Sequence, residues 1–170
     1  MKKSILMYGA LAGLFAGGML WVMWPFHQSG QAQEYGMLIG FASMFLGFSL
    51  IFVAVKKFRD NMNQGVISFG KALTIGLLIT LVASVVYAVC WELLYNTLAS
   101  DFVEVYTKNY LTQLKAEGAD AIELEAATAE MKSFGDMYAN PFTRFGFTLM
   151  EIIPVGIVMS LLAALTLKKK

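Results

Sequence analysis

The sequence predicts an all-α membrane protein: a four-helix transmembrane bundle with an extracytoplasmic helical hairpin between the third and fourth helices. Three observations predict it. Four apolar stretches each reach the ~20 residues that carry a helix across a ~30 Å hydrocarbon core. Charge is scarce: 15% of the 170 residues are Asp, Glu, Lys or Arg, 58% are hydrophobic, and the mean hydropathy is +0.62. Soluble domains carry roughly 25% charged residues. Finally, the basic residues gather on one side once four spans alternate.

The first apolar stretch runs from about Ile5 to Trp24. Lys2 and Lys3 precede it as they would a signal peptide, but the run exceeds a typical h-region and no A-x-A-like site follows. We therefore read it as a span. Pro25 is expected to end it, with His27 and a Ser29-Gly30 turn in a short loop. A lone loop histidine reads as solvated, because no second ligand lies near it.

The second stretch covers about Tyr35 to Val55 and the third about Phe69 to Leu94. Asn63-Gln64-Gly65 marks a turn between them, and Ser68 suits the N-cap of the third. Lys56, Lys57 and Arg59 follow the second span. They can set topology or grip anionic headgroups, and three charges fall short of the 4–8 typical of lipid-binding clusters.

Residues 95–141 form the largest soluble element. Phe102, Val103, Tyr106, Tyr110, Leu111 and Leu114 recur at helical spacing. Gly118 suits a helix end, and Asp120 with Glu123 suits a capping box for a second helix. The pair is too small to hold its own core. Its eight acids against three lysines argue against lying flat on an anionic surface. The bundle or a partner must cover its apolar stripes.

The fourth stretch runs from about Phe142 to Leu167. With four spans, Lys2, Lys3, Lys56, Lys57, Arg59, Lys71 and Lys168 to Lys170 share one side, against Lys108, Lys115, Lys132 and Arg144 on the other. The positive-inside rule then places both termini in the cytoplasm. Trp21, Trp24 and Trp91 fall at the outer interface, where indole rings are favoured.

Two features inside the spans stand out. Gly9, Gly13 and Gly17 form a small-residue face for helix packing, echoed by Gly76, Thr80 and Ser84 and by Gly156, Ser160 and Ala164. Packing within the chain accounts for such faces, and a contact to a second chain is the sharper alternative. Glu151 lies ~9–13 Å below the outer boundary of the fourth span. An acid there is expensive if it faces lipid, so it is expected to face the bundle interior, with Tyr87 as its hydrogen-bond partner. Pro154 removes the donor for the Met150 carbonyl beside it. Glu151 then either ties two helices together or handles a proton or cation.

Arg59-Asp60, Ile67-Ser68-Phe69-Gly70 and Glu151 with Pro154-Val155-Gly156 sit in stretches that resemble the bacterial membrane family catalogued as domain of unknown function 4199. The resemblance runs from about Val55 to the C-terminus. In that family the acid is often followed directly by proline, where Ile152 stands here. The resemblance implies four helices and a bacterial inner membrane, and it brings no activity.

A net charge of +1 carries no nucleic-acid signature. Cys90 is alone, so no intrachain disulfide forms, and Cys90 with the distant His27 makes no zinc site. No cofactor motif is present. The expected function is a non-enzymatic accessory or scaffolding subunit in the bilayer, as a homo-oligomer or with a membrane-protein partner. The alternative is a small transporter or channel component using Glu151. An intramembrane enzyme ranks last, because no nucleophile–base pair or metal cluster can be assembled in the spans.

Overall fold

A computed structural model describes residues 2–28 and 36–169 of the chain, excepting the side chains of Met37 and Met62. Seven helices follow one another: α1 (Lys2–Gln28), α2 (Gly36–Phe48), α3 (Leu50–Met62), α4 (Phe69–Thr97), α5 (Phe102–Ala116), α6 (Ala121–Tyr138) and α7 (Pro141–Leu167). Four segments are long and apolar enough to cross a membrane: Lys2–Gln28, Leu38–Asn61, Phe69–Thr97 and Pro141–Leu167. They contain or overlap the four stretches read from the sequence. The Ser29-Gly30 turn lies outside the described residues.

Pro25 does not end the first helix. α1 continues through it to Gln28 and takes His27 into its last turn. Proline removes only its own donor, so a helix can run on for a turn beyond it. The second span is built from α2 and α3, which meet at Ser49. There the Ser49 hydroxyl donates to the Leu46 carbonyl at 2.6 Å, and Phe52 N–H donates to the Ser49 carbonyl at 3.0 Å. That three-residue closure tightens the turn locally.

The third span, α4, is the hub. It packs most extensively on α1 and on α7, while α2 and α3 complete the bundle between those two. Lipid tails are as apolar as leucine, so helices associate in a bilayer chiefly through close packing and hydrogen bonds. The seams show this. A Cβ on Gly9 would fall 2.6 Å from Val82 Cβ, one on Gly13 2.5 Å from the Ala83 carbonyl oxygen, and one on Gly17 2.6 Å from Cys90 Cβ. The Gly9, Gly13 and Gly17 face therefore lies against α4 of the same chain. Across the other seam, a Cβ on Gly76 would fall 2.8 Å from Ser160, and one on Gly156 would overlap Thr80 and Phe48. Thr80 and Ser160 hydroxyls share a hydrogen bond of 3.1 Å there.

At one end the basic residues meet. Ile67 and Lys169 exchange two backbone hydrogen bonds of 2.9 Å, a single antiparallel bridge that clasps the chain's end to the 63–68 loop. Gln64 and Gly65 take positive φ in that turn, and Ser68 caps α4 by accepting from Lys71 N–H. Arg59 pairs with Asp60 at 2.7 Å and donates to the Leu167 carbonyl at 3.3 Å. The segments Arg59-Asp60 and Ile67-Ser68 thus serve one clasp.

At the opposite end α5 and α6 pack on each other, with Gly118 between them at φ +90°. Asp120 and Glu123 form a reciprocal capping box, with bonds of 3.0 and 2.8 Å. α5 buries no residue fully. The inner ends of the pair rest on the bundle through aromatic rings: Phe102 packs edge-on against Trp91, and Tyr138 stacks on Phe147.

The glycine seams give the first test. Gly13→Ala forces a methyl group into the Ala83 carbonyl and should destabilise the protein by about 1–3 kcal/mol, the usual cost of overpacking. Gly18→Ala, where no atom lies within 4 Å, should leave stability unchanged or slightly raised. Thermal unfolding of both variants in detergent checks the difference, and equal melting temperatures would remove the seam as a packing constraint.

Candidate functional site

The polar chemistry inside the spans collects at the end that carries α5 and α6. α7 begins there, with Asn140 as N-cap accepting from Phe142 N–H at 2.9 Å and Pro141 in the first turn. That start carries Arg144 one turn into the helix, opposite Glu92 in the last turns of α4.

Arg144 and Glu92 form a fork-to-fork pair. Nε donates to Oε1 at 2.8 Å and Nη2 to Oε2 at 2.7 Å. The remaining terminal nitrogen, Nη1, donates to the Tyr138 carbonyl at 3.1 Å. The guanidinium lies 3.9 Å from the centre of the Tyr95 ring. Side-chain exposure is 4% for Arg144 and 22% for Glu92, so the cation is enclosed while the acid keeps an edge to solvent. A planar guanidinium with bidentate and stacking contacts is held as a lysine could not be.

An aromatic box surrounds the pair. Trp24, Trp91, Tyr138, Leu94 and Ala99 form its buried core, with Tyr95, Phe102, Phe134 and Phe147 packed around them. The Trp24 indole donates to the Leu98 carbonyl at 3.0 Å, which ties α1 to the chain just beyond α4. The buried Trp91 indole nitrogen lies near the Tyr138 hydroxyl without completing a hydrogen bond. Burial pushes the Tyr138 phenol far above its ordinary range. The arrangement holds a neutralised ion pair and joins α4, α6 and α7. It presents no nucleophile beside a base.

Glu151 lies elsewhere. It is exposed on α7, as are Pro154 and Met150, the last at 71%. The expectation that Glu151 faces the bundle interior and bonds Tyr87 is not met. Tyr87 is buried in the core at 2% exposure, and no hydrogen bond joins the two. Along this part of α7 the buried positions are Thr148, Ile152 and Val155, and Glu151 lies beside that stripe rather than within it. α7 passes through Pro154 unbroken, so the Met150 carbonyl lacks its usual donor on the same exposed face.

The serine and threonine hydroxyls inside the bundle are accounted for locally. Ser84 donates to the Thr80 carbonyl at 2.8 Å, Ser160 to the Gly156 carbonyl at 2.7 Å, and Thr148 to the Arg144 carbonyl at 3.0 Å. Among the described residues no three His, Cys, Asp or Glu side chains gather as a metal cluster. Sequence reading counted Arg144 among the basic residues of the outer side and missed its pairing with Glu92. The available signal was two opposite charges in apolar spans, each near the same end of its helix.

Breaking this pair from one side should be costly. Glu92→Gln leaves Arg144 enclosed without a counter-charge and should destabilise by about 3 kcal/mol, the lower end for buried pairs because Glu92 retains some solvent. Arg144→Lys should also destabilise, since an ammonium cannot reproduce the bidentate and stacked contacts. The double variant Glu92→Gln with Arg144→Leu should recover much of the loss. Thermal stabilities of Glu92→Gln, Arg144→Leu and the double variant form the check, and simple additivity would show the groups do not act as a pair.

No curated protein and no solved structure matches the chain. A family model described as a protein of unknown function, DUF4199, matches residues 7–169 and so extends the resemblance to the first two spans. The chain belongs to that family, DUF4199.

Proposed function

We propose that this protein is a non-enzymatic accessory or scaffolding subunit that docks on another membrane protein through the Glu151 face of α7. One observation carries the reading: an acid is exposed on a membrane-length apolar helix and makes no hydrogen bond among the described residues. A carboxyl group near the middle of a helix costs about 2.5–3.5 kcal/mol to insert. A neighbouring helix that brings a donor to Glu151 offsets that cost. Met150 and Pro154 flank the acid and offer a flat apolar surround, with one backbone carbonyl short of a donor.

The Gly9, Gly13 and Gly17 face is spent inside the chain, so it is not the docking face in this reading. Transport by Glu151 has less support. The interior hydroxyls of Thr80, Ser84, Thr148 and Ser160 are engaged in short local bonds, and a polar route from Glu151 through the bundle is not formed by them. The positive-charge bias supports an orientation with both termini cytoplasmic, and the family resemblance supports a bacterial inner membrane.

Native mass spectrometry after gentle extraction tests the proposal. The parent protein should carry a second, different polypeptide. Glu151→Leu should shed it, and Glu151→Gln, which keeps a donor and an acceptor, should retain most of it. A homo-oligomer that falls apart in Glu151→Leu would make a second copy the occupant and overturn the accessory reading. Association unchanged by Glu151→Leu would remove this face altogether.

A further inference from the structure

A second feature lies at the other end of the molecule. A cavity of about 90 Å³ opens between α1, α3 and α4 at the basic end. Its floor is apolar, made by Ile5, Ala54 and Ile75, each under 9% exposed. Its polar lining is Ser4, Lys57 and Asn61 toward the outside and the Tyr8 ring, 8% exposed, beside the apolar floor. Such a gradation from apolar floor to polar rim suits an amphiphile.

The charges around it sort into two groups. Arg59 is held by Asp60 and the Leu167 carbonyl. Lys71 donates to Asn63 at 3.3 Å and lies 5.0 Å from the centre of the Phe58 ring, which forms one cavity wall. Lys57 differs: it reaches the cavity rim, and no ion pair or hydrogen bond engages its ammonium within the described chain. Asp60, the one acid at this end among the described residues, is taken by Arg59. The polar lining therefore offers one free cation and three neutral hydrogen-bonding side chains, with no free acid.

We infer that this cavity binds the headgroup of an anionic phospholipid. The phosphate sits against Lys57, with the Tyr8 and Ser4 hydroxyls and the Asn61 amide as hydrogen-bond donors. The cavity is too small for a whole lipid. The acyl chains lie outside it, along exposed apolar side chains of α1 and α3 such as Met7 and Val53. A free cation with no acid beside it favours a net-negative headgroup over a zwitterionic one, whose ammonium or choline would find no counter-charge. This site is independent of the Glu151 face.

The test is a lipid titration of the delipidated full chain in neutral detergent, read by native mass spectrometry. Phosphatidylglycerol should bind more tightly than phosphatidylcholine. Lys57→Gln should weaken phosphatidylglycerol about fivefold, the factor expected for one lysine at an anionic surface. Lys56→Gln, a neighbour turned away by 100°, should leave it unchanged. Tyr8→Phe should weaken it by a smaller factor. Equal losses in the Lys56 and Lys57 variants would mean diffuse surface charge and overturn the site. No loss in Lys57→Gln would do the same. Sodium phosphate binding as tightly as the lipid would make this a soluble-phosphate site and overturn the lipid assignment.

Discussion

The close approach of α4 to α1 and α7 is the constraint on which the rest of the structure depends. In a bilayer there is little hydrophobic gain from hiding one leucine behind another, so attraction must come from atoms in direct contact. Gly9, Gly13 and Gly17 let α1 lie on Val82, Ala83 and Cys90, and Gly76 and Gly156 let α7 lie on α4 with Ser160 and Thr80 between them. These seams fix not only distance but rotation. Once Ser160 points at α4, every other residue of α7 has its direction set.

Two charges of the membrane region fare differently. Arg144 is buried, where Glu92, the Tyr138 carbonyl and the Tyr95 ring hold it. It anchors α5 and α6 to the bundle through Tyr138 and the surrounding rings. Glu151 is exposed and has no hydrogen-bond partner among the described residues. One charge closes the fold, and the other is left facing outward at a depth where neither water nor hydrocarbon suits it.

Much of this was legible in the sequence, for reasons that differ by residue. The four spans were plain because length and apolarity determine membrane crossing directly. The capping box at Asp120 and Glu123, the turn at Asn63-Gln64-Gly65 and the Ser68 cap form where local chemistry alone favours them. The first helix outran Pro25 because a missing donor weakens a helix without compelling it to stop. The Glu92–Arg144 pair was hidden because it joins residues 52 positions apart, and nothing local marks such a contact. Glu151 is the instructive case. Its depth was read from position, while its direction depends on which neighbouring positions the bundle buries: Arg144, seven residues earlier on nearly the same side of the helix, is buried where Glu151 is exposed, and nothing local marks that difference.

The central claim is that another membrane protein covers the Glu151 face, where the acid has no hydrogen-bond partner among the described residues. Photocrosslinking in intact membranes tests it most directly. A benzophenone side chain would be placed at Met150, beside Glu151, or at Leu11, 49% exposed on the diagonally opposite helix. The account predicts one discrete protein adduct from Met150 and lipid adducts alone from Leu11. Lipid adducts alone from both positions would contradict it.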